Sequence, residues 1–296
     1  MDIRSHNSEQ RFGSARFSEH DEISGAGLLG EKGLPLGHFG DRVLRLDSDG
    51  ARISVLGAGG GKTTTLLAWM LCLPNAMPLM CLDPRGERLA ISMAAATRQA
   101  IHIYSWNPKR LHGMPSHSVN PLGDITLDSP YLHTDLQIAA CDLIPLSGGA
   151  NSEHFELMAR NWTESLYKSR IEQDGFVSFP SFYRMVNKIE GDPAAWVDEL
   201  EAMFVSRFED VRRTANEMMI KQQEAQKEFG GVLGTIYTHI NFLTDPDLRA
   251  SLEGGDVSLT SLVGQSQTVR LHLMPPAEFI QLWSPVIRTM FSRLMN

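Results

Sequence analysis

Lys62 and Thr63 stand where a glycine-rich run meets an apolar, helix-forming one: Ile53-Ser54-Val55-Leu56-Gly57-Ala58-Gly59-Gly60-Gly61-Lys62-Thr63-Thr64-Thr65. A short apolar strand, a permissive loop and Lys-Thr at the start of a helix form the layout of a phosphate-binding loop. Gly57, Gly59, Gly60 and Gly61 free the backbone to curl, so that successive N–H groups and the positive helix N-terminus surround phosphate oxygens. In that layout Lys62 reaches the β- and γ-phosphates of ATP. The Thr63 hydroxyl faces Mg2+, and Thr64 either bonds a further phosphate oxygen or caps the helix. The gap between Gly57 and Gly61 is one residue shorter than the usual spacing, the usual first position falling on Leu56. The plain alternative is a glycine turn with a solvated lysine.

A second group of candidates follows the next apolar run, Pro78-Leu79-Met80-Cys81-Leu82, in the segment Asp83-Pro84-Arg85-Gly86-Glu87. Acidic residues just after a strand of a parallel sheet lie at the edge where ligands bind. Asp83 is a candidate for the magnesium shell and Glu87 for polarising a water. Equally, Glu87 could complement a helix N-terminus and Asp83 could make a turn. Arg85, Arg88 and Arg110 are candidates for an arginine that neutralises transition-state charge from a neighbouring subunit, and none differs in sequence from a surface arginine. His112 and His117 share a loop without helical metal-pair spacing. Cys72, Cys81 and Cys141, the three cysteines, lack zinc spacing and read as buried reduced thiols. Arg212, Arg213 and Lys221 read as a solvated helix face, with DNA contact the alternative.

The elements that must carry these residues follow from periodicity. Val43–Leu46 suits a strand, with Asp49-Gly50 turning into 51–56. A helix is expected from Lys62 to about Leu73, stopped by Pro74. Strands at 79–82 and 101–104 flank a helix through Leu89, Ile91, Met93 and Ala94. This alternation predicts an α/β fold with a parallel sheet flanked by helices. From 130 to 246 the pattern is helical, with Phe155, Met158, Ala159, Trp162 and Leu166 on one face. Trp196, Leu200, Met203 and Phe204 make a second such stripe, and Val211, Ala215, Met218, Met219 and Gln222 a third. Alternation returns at Thr268–Leu273. Pro275-Pro276 then open a terminal helix that Pro285 would kink. The domain reading is therefore 1–50 as an N-terminal extension with edge strands and 51–129 as the first part of a nucleotide-binding domain. An all-α insertion takes 130–246, and 247–296 returns to the nucleotide-binding domain.

With 296 residues, 42% hydrophobic and 21% charged, the chain can bury a real core. Its net charge of −8 supplies no overall attraction to nucleic acid, so DNA contact would need a local basic surface or a ring of subunits. No secretory signal or run of ~20 apolar residues is present, which predicts a soluble, cytoplasmic chain.

Taken in order, Gly13-Ser14-Ala15-Arg16-Phe17, Gly27-Leu28-Leu29, Leu34-Pro35-Leu36-Gly37, the P-loop, Asp83-Pro84-Arg85-Gly86-Glu87, Asn120-Pro121-Leu122 and the Phe155…Ala159-Arg160 helix resemble the TraG-type coupling proteins of type IV secretion and bacterial conjugation. The likeness runs from about residue 13 to the end, and the specificity lies in the ordered co-occurrence of the motifs. It implies a RecA-like P-loop ATPase interrupted by an all-α domain that helps recognise substrate. It also implies hexameric rings at the cytoplasmic face of the inner membrane, driving DNA or DNA–protein (relaxosome-type) substrates into the secretion channel. The chain departs from the family in three ways besides Arg85, where lysine is usual. It has no transmembrane helices, its P-loop is short, and no strand ending in the Walker B Asp-Glu pair occurs before Asn296. It therefore reads as a truncated member. Two further readings stand beside an ATP-hydrolysing motor: a degenerate, non-catalytic module acting only through subunit or substrate binding, and a small-molecule kinase, against which the helical insertion argues.

Overall fold

The computed structural model describes residues 16–48, 55, 60–72, 79–99, 101–264 and 269–295, with the backbone alone at 62, 65, 66, 150, 151, 261, 263 and 264. The chain divides into two compact units, Met1–Asn75 and Ala76–Asn296.

The first unit holds a short helix α1 (His20–Gly25), strands β1 (Leu34–Phe39) and β2 (Arg42–Leu46), a π-helical turn at Lys62–Leu67, and α2 (Ala68–Cys72). The strand expected at 43–46 is therefore present, but its partner is β1, antiparallel, with a register shift between Pro35 and Gly37. The expected turn at Asp49-Gly50 lies outside the described residues. So does most of the strand expected at 53–56, of which Val55 is described, non-strand and 89% exposed. Gly33 opens the hairpin at φ +95°, where a Cβ would fall 2.5 Å from the Asp47 backbone nitrogen. Both the left-handed conformation and the crowding demand glycine. Gly33→Ala is expected to cost the hairpin about 2 kcal/mol or more. Hydrogen exchange of the β1–β2 ladder amides reads this directly, and unchanged protection would refute it.

The second unit is built on a parallel sheet of order β3-β5-β4: β3 (Leu79–Leu82), β4 (His102–Trp106) and β5 (Val269–Leu273). Helix α3 (Glu87–Gln99) makes the crossover from β3 to β4. β5 arrives from the far end of the sequence and pairs with both, so that Cys81, His272 and Ser105 stand in one row. Between β4 and β5 run α4 (Leu132–Leu143), α5 (Ala150–Asp174), α6 (Phe179–Gly191), α7 (Pro193–Phe204), α8 (Glu209–Glu224), α9 (Gln226–Ile240), α10 (Pro246–Glu253) and α11 (Leu259–Gly264); α12 (Ser284–Met295) closes the described chain. Helix thus continues past residue 246.

Local signals explain several boundaries. Ser178 and Ser181 bond reciprocally at the start of α6, Asp192 caps α7 ahead of Pro193, and Asp245 caps α10 ahead of Pro246. Gly175, at φ +81°, ends α5. Ala159, Trp162, Leu166, Trp196, Met203, Val211, Ala215 and Met218 share one buried core with Leu271 and Leu273 of β5. Each large side chain so buried contributes about 1.5–3 kcal/mol.

Three expectations need correction. Gln222 is exposed and is no part of the α8 stripe. The terminal helix begins at Ser284 rather than after Pro276, so Pro285 sits in its first turn, where a missing N–H costs nothing, and does not kink it. The cysteines are free thiols, but Cys72 and Cys81 are half-buried and Cys141, on the outer side of α4, is exposed. Cys81 is nevertheless unreactive in character, because burial pushes its thiol up to about 11 against the pull of Arg88.

Candidate functional site

In the first unit the described part of the glycine loop ends at Gly61, which adopts φ +79°, ψ +10° at the N-cap of the turn that starts with Lys62. That left-handed step belongs to glycine and sends the chain abruptly from loop into helix. As a glycine, the N-cap residue has no side chain of its own to cap the turn. Gly60 and Thr64 are exposed and Thr63 is half-buried. The Thr64 hydroxyl donates to the Gly61 carbonyl at 3.2 Å, so it braces the loop from within. Gly57 and Gly59 lie outside the described residues. Behind the helix, Trp69 packs edge-on against His38 of β1, ring centroids 3.8 Å apart. Backbone N–H groups at a helix start beside the Thr63 hydroxyl are donors of the kind a magnesium–phosphate group takes.

In the second unit Asp83 and Glu87 fall in one turn at the C-terminal edge of the sheet. The Asp83 N–H donates to the Leu273 carbonyl at 2.7 Å, extending the β3–β5 ladder by one bond. The Gly86 N–H closes the turn onto the Asp83 carbonyl at 3.1 Å. Gly86 itself has φ +70°, and a Cβ there would meet the Met274 side chain at 2.9 Å. The Asp83 carboxylate, 1% exposed, accepts from the Leu89 N–H at 2.8 Å and lies 3.7 Å from an Arg88 nitrogen, while Arg88 also donates to the Leu82 carbonyl at 2.6 Å. Asp83 thus ties the start of α3 to the end of β3. Glu87 points outward from the same turn, its carboxylate 4.0 Å from the exposed Arg85 guanidinium. His112 and Arg110 both adopt positive φ in the adjoining loop, which buried Asn107 holds by accepting from the Leu111 N–H at 2.8 Å.

Of the remaining candidates, Arg212 donates to the Ser206 carbonyl and Lys221 to Glu228, while Arg213 is exposed. His117 receives the Ser105 N–H at 3.0 Å. One metal-like donor set occurs among the described residues, His133, Glu164 and Asp210, with ligand atoms within 4.8 Å of one another. The cation between its two carboxylates is the Lys168 ammonium, 2% exposed and bonded to both.

Sequence reasoning passed over His272. The alternation Val269-Arg270-Leu271-His272-Leu273 carries the signal, since period two puts Arg270 and His272 on the face opposite the leucines. His272 is fully buried, neither ring nitrogen has a hydrogen-bond partner among the described residues, and Nδ1 lies 4.0 Å from an Asp83 oxygen. Burial, then the positive charges of Arg270 and Arg88, lower its pKa from 6.5 to about 4. A depressed histidine contributes stability above its unfolded value that is lost as pH falls from 6.5 towards about 4. The loss is worth roughly 3 kcal/mol when complete. Urea unfolding at neutral pH and near pH 4 is expected to show His272→Leu losing less stability on acidification than the wild type. Equal losses would refute the assignment.

Comparison with known proteins adds the following. The model of the family described as type IV secretory system conjugative DNA transfer matches residues 8–296. The conjugal transfer protein TraG of Escherichia coli is 22% identical over 322 residues, covering 97% of this chain and 49% of that protein. The chain therefore spans about half the length of the curated relative it matches. Among solved structures, the bacterial conjugative coupling protein TrwBdeltaN70, in its unbound monoclinic form, aligns with a TM-score of 0.51 at 15% identity, over 80% of this chain and 49% of that one. At that identity the likeness shows the fold alone. The plasmid coupling protein TrwB in complex with ADP and Mg2+ aligns with a TM-score of 0.46 at 13% identity, over 74% of this chain and 45% of that one.

Proposed function

We propose a function from one premise: the chain belongs to the type IV secretory system conjugative DNA transfer family. It is the ATP-binding part of a coupling protein that uses ATP hydrolysis to drive DNA or a DNA–protein substrate into a type IV secretion channel. The observation that carries this reading is the left-handed Gly61 leading into a helix whose first residues are Lys62 and Thr63.

In this reading Gly57, Gly59, Gly60 and Gly61 shape the phosphate cradle, Lys62 pairs with the β- and γ-phosphates, and Thr63 ligates Mg2+. Thr64 braces the loop through Gly61. Magnesium-ATP, when bound, supplies the phosphoryl group to be transferred. In the second unit Asp83, engaged with Leu89 and Arg88, orders the turn that carries Glu87, and Glu87 is the carboxylate there able to polarise a water. A homo-hexamer at the cytoplasmic face of the inner membrane, engaging channel components and a relaxosome-type substrate, belongs to the same proposal. None of the described helices is long and apolar enough to cross a membrane.

The loop, one residue short between Gly57 and Gly61, favours a second reading: a non-catalytic module of the family acting through subunit or substrate binding. Calorimetric titration of magnesium-ATP, with a phosphate-release assay on the same sample, decides between them. Binding with turnover supports the motor, and binding without turnover supports the module. No binding to the folded chain would overturn the nucleotide reading.

A further inference from the structure

The least expected group in the sheet is His272. It sits on β5, paired on its two sides with Cys81 of β3 and Ser105 of β4, and is wholly buried. Its two neighbours in the row have other commitments. The Ser105 hydroxyl donates to the Pro115 carbonyl at 2.6 Å, and the Cys81 thiol lies 3.9 Å from the Leu82 carbonyl. Among the described residues neither imidazole nitrogen has a partner, which in a buried ring costs about 1–3 kcal/mol for each orphaned group. The charged groups around it are Arg270 on its own strand and Asp83 and Arg88 of the β3–α3 turn. Of these only Asp83 can accept a hydrogen bond. Its Oδ2 is 4.0 Å from Nδ1, a span that one water completes with two ordinary hydrogen bonds. The same Oδ2 holds the Leu89 N–H at the start of α3.

We propose that His272 is a positioning residue for Asp83, its neutral ring donating from Nδ1–H through one water to Asp83 Oδ2, so that the middle strand fixes the turn carrying Arg85, Gly86 and Glu87. The link runs from β5 through Asp83 to the first turn of α3. It sets the orientation of the carboxylate rather than any step of chemistry, and it goes beyond the nucleotide reading.

The test is nitrogen-15 NMR of the histidine rings together with amide hydrogen exchange, on the full chain at about pH 6 without nucleotide. At that pH a histidine titrating near 4 is neutral. The expected ring carries its proton on Nδ1, the tautomer less populated in water, and Asp83→Asn shifts that resonance. In His272→Leu the Leu89 amide is expected to exchange about tenfold faster, the loss of one net hydrogen bond. His272→Gln, which keeps an N–H donor, restores most of the protection. The Leu166 amide, in the core of α5, serves as the reference for global stability. An Nε2–H ring, an unchanged Leu89 amide in His272→Leu, or an equal loss at Leu89 and Leu166 would each overturn the proposal. These readings need no ATP, so a failed magnesium-ATP titration leaves them standing, and their failure leaves the nucleotide reading standing.

Discussion

Lys62→Ala is expected to weaken magnesium-ATP binding by about 10- to 100-fold while leaving the fold intact. The ammonium of a phosphate-loop lysine makes charge-assisted bonds to phosphate oxygens, each worth about 1.5–3 kcal/mol net. Every 1.4 kcal/mol, roughly, is a factor of ten in affinity. The substitution falls on the first residue of a helical turn whose entry is set by Gly61 at φ +79°, and alanine is a good helix former, so the turn persists. Calorimetry on the wild type and variant, with circular dichroism melts of both, separates loss of a contact from loss of structure. Equal affinities would mean that Lys62 does not meet the phosphates, and the cradle would have to be sought elsewhere. Gly61→Ala tests the same loop from the backbone side: a residue with a Cβ pays about 1–2 kcal/mol for the left-handed conformation.

The second large effect concerns stability. Lys168→Met is expected to cost the second unit about 3–5 kcal/mol at neutral pH. The Lys168 ammonium, 2% exposed, donates to Glu164 one helical turn away on α5 and to Asp210 on α8. Removing it leaves two carboxylates facing each other beside His133 with no compensating charge. Burial pushes the Asp210 carboxyl up, but the Lys168 hydrogen bond and charge outweigh it, and the net pKa is lowered. A depressed carboxyl contributes stability above its unfolded value that is lost as pH falls through the folded one. Without Lys168 the Asp210 carboxyl loses what holds its pKa low, so the variant has no such contribution to lose and its deficit relative to wild type should shrink towards pH 4. Urea denaturation at neutral and acidic pH measures both numbers. Adding Glu164→Gln and Asp210→Asn to Lys168→Met should recover much of the loss, since neutral groups of similar shape carry no unpaired charge. A pH-independent deficit would place the cost in packing rather than charge.

Much of this was legible in the chain itself. Four glycines before Lys62-Thr63 marked a permissive loop and a helix start, and the structure shows the left-handed step at Gly61. Apolar runs marked strands at 79–82 and 101–104, alternation marked one at 268–273, within two residues of β3, β4 and β5, and a 3.6-residue period put Ala159, Trp162 and Leu166 on one face. All of these are decided by groups within a turn or two of one another, where sequence distance is spatial distance. The tertiary structure alone decided what depends on distant partners. It inserted β5 between β3 and β4 and joined β1 to β2. It turned Asp83 towards Leu89 and Arg88, and it closed Lys168 between Glu164 and Asp210. Trp106 and Ser251, 145 residues apart, share a hydrogen bond that no local pattern announces. Arg270 and His272 show the division most plainly. Their place on one face of a strand follows from period two, but their burial follows from β5 being the middle strand, a fact set by the packing of the whole unit.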